Sequence, residues 1–81
     1  MDLSKIKPDV TLDARGLSCP MPVLKTAKAM KSMESGQILE VLGTDPGTKN
    51  DMPKLARKGG NEWLGFLDDE DSFYRFYLKK G

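Results

Sequence analysis

Histidine is absent from this chain of 81 residues, and cysteine occurs once. The usual soft-metal ligand spacings are therefore missing, and no internal disulfide framework can form. A solitary thiol without such a framework favours a reducing compartment. Long apolar runs are missing too: no stretch approaches the roughly 20 residues of a membrane span, and Met1 to Pro8 lacks the apolar centre of a signal peptide. These features place the protein in the cytoplasm, away from membranes. Charge of one sign is equally scarce, because 13 basic residues against 12 acidic ones leave a net +1. That balance is no electrostatic footprint for nucleic acid, and no direct nucleic-acid binding is expected. Aromatic residues make up 7% of the chain, and Trp63, Phe66 and the rings near the C-terminus read as core or cross-strand pairs rather than base-stacking platforms. A chain this short buries a small share of its surface and has no room for a large enclosed cavity. Its chemistry must occur at the surface, against something larger.

What the chain does have is concentrated in Leu12-Asp13-Ala14-Arg15-Gly16-Leu17-Ser18-Cys19-Pro20-Met21-Pro22-Val23-Leu24, where an extended run meets a helix. Proline is tolerated in a first helical turn, since the N–H it lacks would have had no intrahelical partner. Pro20 at the first helical position and Pro22 two residues later put Cys19 at the N-cap. An N-cap side chain points at the free amides and at the positive end of the helix dipole, which favours a thiolate. The thiolate is the nucleophile, so a lowered Cys19 pKa is expected. Arg15 adds positive charge if the loop folds back, while Asp13 can neutralise it and Pro22 removes one amide. The competing reading of a single cysteine is a small buried hydrophobe, but a core cysteine has no need of a helix start framed by prolines.

Residues 1–9 show no sustained period and read as a flexible lead-in, leaving residues 10–81 as one domain. Val10 to Asp13 is a first strand. A helix follows from Pro20 to about Met33, with Val23, Ala27 and Met30 at helical spacing and Leu24 and Met33 as further candidates. Lys25, Lys28 and Lys31 recur along it, either as a solvated face or as a docking stripe for acidic partners. Gln37 to Gly43 has the apolar density of an interior strand. Thr44-Asp45-Pro46-Gly47-Thr48 is a turn lacking the lysine and spacing of a phosphate-binding loop. A second helix covers roughly Thr48 to Lys58, capped either by Thr48 with Asp51 or by Asn50. Strands over Glu62 to Leu67 and Phe73 to Lys79 form an antiparallel hairpin, one face of the last strand packing and the other meeting water. The order β-α-β-α-β-β predicts an α+β fold, a two-layer sandwich with both helices on one face of a four-stranded mixed sheet.

The run Leu-Asp-x-Arg-Gly-Leu-x-Cys-Pro-x-Pro, then Gly-x-x-Leu-x-Val and Thr-Asp-Pro-Gly-Thr-x-x-Asp-x-Pro, resembles the TusA/SirA-like family of small sulfur carriers over nearly the whole chain. The resemblance implies that Cys19 accepts sulfane sulfur as a persulfide from a cysteine desulfurase or rhodanese-like donor protein and passes it to an acceptor protein. It implies that Pro20 and Pro22 hold the helix start, that Asp13, Arg15 and Gly16 form the signature loop, and that no metal or organic cofactor takes part. tRNA thiolation, molybdenum-cofactor biosynthesis and sulfur oxidation are the pathways it suggests. Many members carry an aromatic residue and a second cysteine where this chain has Leu55-Ala56. Without a resolving thiol, a persulfide on Cys19 cannot collapse into an internal disulfide and must leave by attack from another protein. Two other functions stay open: a non-enzymatic binding or regulatory module with a structural cysteine, and a thiol redox sensor. The chain reads as a monomer.

Overall fold

A computed structural model describes residues 5–18, 20–68 and 73–81. Its elements run β1 (Val10–Ala14), α1 (Met21–Lys31), β2 (Ile38–Gly43), α2 (Thr48–Lys58), β3 (Glu62–Asp68) and β4 (Tyr74–Lys79). The strands form one mixed sheet in the order β1-β2-β4-β3, with β1 parallel to β2 and the other two pairings antiparallel. Both helices pack on one face, giving the expected two-layer α+β architecture. The C-terminal hairpin thus inserts its second strand beside β2 and leaves β3 outermost. Burial explains the choice, since Phe76, Tyr77 and Leu78 are all buried whereas β3 exposes both ends.

The core lies between the helices and the sheet, built from Ala14, Leu39, Val41, Phe76 and Leu78 beneath Met30, Met33, Met52 and Ala56. The buried arc of α1 runs through Pro22, Thr26 and Met30, not through Val23 and Ala27 as the periodicity suggested. Thr26 can take a core position because its hydroxyl donates to the Pro22 carbonyl at 2.7 Å, which leaves no unmade hydrogen bond. Leu24 is 56% exposed, so its place among the core candidates is not realised. The helix also ends at Lys31, and Met33 reaches the core from the following turn.

In β3 the pairing slips between Trp63 and Gly65, so Trp63 faces Leu78 while Phe66 faces Phe76. An extra residue in a strand reverses the inside-outside alternation. Two aromatic side chains three positions apart therefore share the core face, each about 6.2 Å from the Phe76 ring. Gly65 supplies the positive φ of 132° that this slip requires.

On the face away from the helices, Thr11, Glu40 and Tyr77 stand in one row across three strands. Tyr77 donates to Glu40 at 2.7 Å, and Arg75 and Thr11 each reach the same carboxylate at 3.4 Å. Burial, aided by the Glu40 hydrogen bond, pushes the Tyr77 phenol up to about 12. The water-facing side expected of the last strand is thus closed at Tyr77, because an interior strand has neighbours on both flanks. Asp9, assigned by sequence to the lead-in, already joins the sheet margin. Its amide donates to the Ile38 carbonyl and its carboxylate accepts from the Ile38 amide, both at 2.8 Å.

Candidate functional site

The parallel β1-α1-β2 unit brings the C-terminal ends of β1 and β2 and the start of α1 to one edge of the sheet. Beyond Ala14 the chain turns through Arg15 and Gly16, closed by the Leu17 amide on the Ala14 carbonyl at 3.3 Å. Gly16 has a φ of 81°, the value a type II turn needs at its third residue. A Cβ there would meet nothing within 4 Å, so backbone conformation and not space selects glycine. The Gly16 amide in turn donates to the Thr44 hydroxyl at 2.9 Å, tying this turn to the end of β2.

Asp13 and Arg15 form a two-pronged pair. The guanidinium donates to both carboxylate oxygens, at 3.0 and 2.9 Å, and the Arg15 amide adds a third bond at 3.1 Å. These bonds hold the Asp13 carboxyl down to about 2. The sequence anticipated this neutralisation. It did not anticipate that the Arg15 guanidinium would lie 5.0 Å from the centre of the buried Phe73 ring, with Arg75 at 5.1 Å from the same ring.

The helix start differs from expectation by one residue. Pro20, with φ −97° and ψ 7°, occupies the N-cap, and its carbonyl accepts the Leu24 amide at 3.0 Å. Met21 is the first helical residue and Pro22 the second, a place equally suited to proline because first-turn amides have no helical partner. Cys19 therefore precedes the cap in sequence instead of filling it, and it lies outside the described residues. On either side of it, the Met21 amide donates to the Ser18 carbonyl at 3.0 Å. Among the described residues no side chain caps α1, and no acidic residue stands in its first turn. Nothing in that turn offsets the positive end of the helix dipole.

Around this start the surface is apolar. Met21 and Leu24 are 43% and 56% exposed. Pro20, Val23 and Leu55 floor a groove of about 510 Å³ between the two helices, rimmed by Asp51, Lys54 and Lys58. Sequence periodicity had assigned Val23 and Leu24 inward. The available signal was the spacing 22-26-30, which leaves 21 and 24 off the buried arc. The three lysines also part company. Lys25 and Lys28 border a groove with Leu12 and Ala29 on the β1 side, whereas Lys31 borders a second groove on the α2 side. Steps of three residues lag a helical turn by about 60° each, so a stripe of threes winds around the helix.

Among the described residues no group of three or more metal-ligating side chains gathers, and no helix is long and apolar enough to cross a membrane.

The chain matches the family model described as sulfurtransferase TusA over residues 10–80. It is 49% identical over 76 residues to the putative sulfur carrier protein YrkI of Bacillus subtilis, covering 94% of this chain and all of that one. It is 42% identical to the sulfur carrier protein TusA of Allochromatium vinosum, over 89% of this chain and 93% of the relative. Among solved structures, a SirA-like protein from Desulfitobacterium hafniense superposes with a TM-score of 0.78 at 26% identity, covering 89% and 97% of the two chains.

Proposed function

The chain belongs to the sulfurtransferase TusA family, and from that premise we propose that it is a sulfur carrier whose working atom is the Cys19 sulfur. The observation that carries the reading is the placement of Asp13, Arg15 and Gly16 on the rim of the sheet, one short step before a helix start that follows Cys19 directly and that no described side chain caps. In the loading step the Cys19 thiolate attacks the outer sulfur of a donor persulfide. A new S–S bond forms on Cys19, the donor S–S bond breaks, and the donor leaves as a thiolate. In delivery an acceptor thiolate attacks the outer sulfur of Cys19-S-SH and the Cys19 thiolate departs, so electrons balance without an external oxidant.

The side chains around the helix start have separate tasks. Pro20 and Pro22 set the direction in which α1 leaves the loop, and the free dipole end stabilises the thiolate in both steps. Met21, Leu24 and the groove between Val23 and Leu55 supply apolar surface on which a donor or acceptor protein seats. Lys25 and Lys28 steer acidic partners toward it. The donor is a desulfurase or rhodanese-like protein, the carrier acts as a monomer in the cytoplasm, and residues 10–81 are the working unit.

Intact-protein mass after incubation with a cysteine desulfurase and cysteine tests this. The wild-type protein gains one sulfur, and Cys19→Ser gains none while keeping its circular dichroism spectrum. An unchanged wild-type mass with both desulfurase and rhodanese donors would instead support a binding module with a structural cysteine.

A further inference from the structure

The strand register aligns Ala14, Gly43 and Tyr74 in one row at the end of the sheet. The next residue outward on each strand is Arg15, Thr44 and Phe73, three side chains from distant parts of the chain meeting on one rim. Two contacts cross this rim. Thr44 accepts the Gly16 amide at 2.9 Å, and Phe73 places its ring 5.0 Å from the Arg15 guanidinium. Phe73 is itself fixed: it is 6% exposed, and Arg75 lies 5.1 Å from its ring while reaching Glu40 at 3.4 Å.

We propose that Phe73 and Thr44 are positioning residues for the sulfur chemistry, holding the turn that delivers the chain to Cys19 from outside the signature motif. This rests on Cys19 being the loaded atom. The physical reason is that a turn of two exposed residues has little packing of its own. Arg15 carries a long side chain that loses considerable rotamer freedom when held against Asp13. A ring face opposite the guanidinium restricts the plane in which it moves, and a hydroxyl on the Gly16 amide fixes the backbone one residue later. Phe73 lies outside the main core cluster and Thr44 is exposed, so removing either contact acts first on the turn, which samples other geometries, and the approach of a donor persulfide to Cys19 is aligned less often.

The experiment compares Phe73→Leu, which keeps apolar volume without a ring face, with Phe73→Tyr, which keeps the face. Thr44→Val, which loses the acceptor, is compared with Thr44→Ser, which keeps it. Three readouts are taken: the rate of Cys19 persulfide loading from a cysteine desulfurase, the rate of Cys19 alkylation by iodoacetamide, and the Asp13 titration by NMR. Phe73→Leu is expected to slow loading by about twofold to fivefold, the span of a partly exposed cation–π contact. It also moves the Asp13 midpoint up from about 2 toward its ordinary 3.8. Phe73→Tyr restores both, and Thr44→Val slows loading where Thr44→Ser does not. Wild-type loading in both Phe73→Leu and Thr44→Val, or a Tyr variant as slow as Leu, overturns the proposal. If wild-type Cys19 takes up no sulfur at all, the relay reading fails by itself, and alkylation rate together with the Asp13 titration still decides whether Phe73 positions the turn.

Discussion

Both helices are eleven residues long and both follow a strand of the same sheet, but their prolines differ in place, Pro22 being the second residue of α1 and Pro53 the sixth of α2. Around α2 the start is tied down. Thr48 is fully buried, the Asp45 carboxylate accepts the Gly47 amide at 3.1 Å, and the Lys49 ammonium lies 4.2 Å from the Tyr74 ring and 5.1 Å from Phe66. Successive amides of Thr48, Lys49 and Asn50 bond three residues back, so the helix begins as a tight turn and Pro53 falls in the first regular one. Among the described residues no side chain caps either helix start, but exposed Met21 and Leu24 flank that of α1. One fold therefore uses the same strand-to-helix junction twice. At the α2 start Lys49 lies against two rings, whereas beside the α1 start Met21 and Leu24 stay exposed.

This contrast can be broken in several places, and the largest effect belongs to the braced side. Met52, one turn into α2, is fully buried, and Met52→Ala should cost about 2–5 kcal/mol in a chemical denaturation curve. Met21→Ala at the bare start should stay within about 0.5 kcal/mol, as surface changes do. A comparable loss at Met21 would show that the α1 start is packed after all. Lys49→Met keeps the aliphatic stem and removes the ammonium from both rings. A loss of about 0.5–1 kcal/mol is expected, seen as a drop of several degrees in Tm, with sulfur loading unchanged. Loading that falls along with Tm would mean that the two junctions are coupled.

Acid titration sharpens the comparison from the other side. Asp13 binds its proton near pH 2 in the folded chain and near 3.8 unfolded, so the unfolded state takes up protons first as pH falls. The stability that the Arg15 pair supplies is present above 3.8 and fades toward pH 2. Amide exchange at Arg15 and Gly16 should rise in that window, and Asp13→Asn should remove the pH dependence. At the alkaline end the sign reverses for Tyr77, whose raised pKa of about 12 means stability is lost between pH 10 and 12 and Tyr77→Phe flattens that slope. The smallest effect is expected at the α1 flank. Charge reversal at Lys25 and Lys28 should slow association with an acidic donor by about tenfold or less and reduce its salt dependence in stopped flow. Unchanged rates would leave these lysines as a solvated face.

Much of this was legible before any coordinates. Strands with β-branched or alternating residues and the Gly59-Gly60 pair that closes α2 give the element order within a residue or two, whereas Ser35-Gly36 lies beyond the end of α1, whose C-cap is Ser32. The turn at Gly16 is local too, because its φ is set by one residue. The helix start was placed one residue early because Pro20 and Pro22 satisfy either registration equally well, and only the Pro20 carbonyl bonding to Leu24 distinguishes them. The buried arc of α1 was misassigned because threonine counts as polar until its hydroxyl is seen on the carbonyl one turn back.

The chain by itself determined what is written in neighbouring residues: the prolines that frame Cys19, the glycine that permits the turn, the single thiol with nothing nearby in sequence to pair with it. Tertiary structure alone decided that β4 lies beside β2, and with that choice it brought Phe73 to Arg15, Tyr77 to Glu40 and Lys49 to two rings. Local preference acts over a few bonds, whereas strand order is settled by which arrangement buries the most apolar surface across the whole sheet. The Thr44 and Phe73 contacts to the turn before Cys19 belong to the second kind, which is why no stretch of sequence around the cysteine contains them.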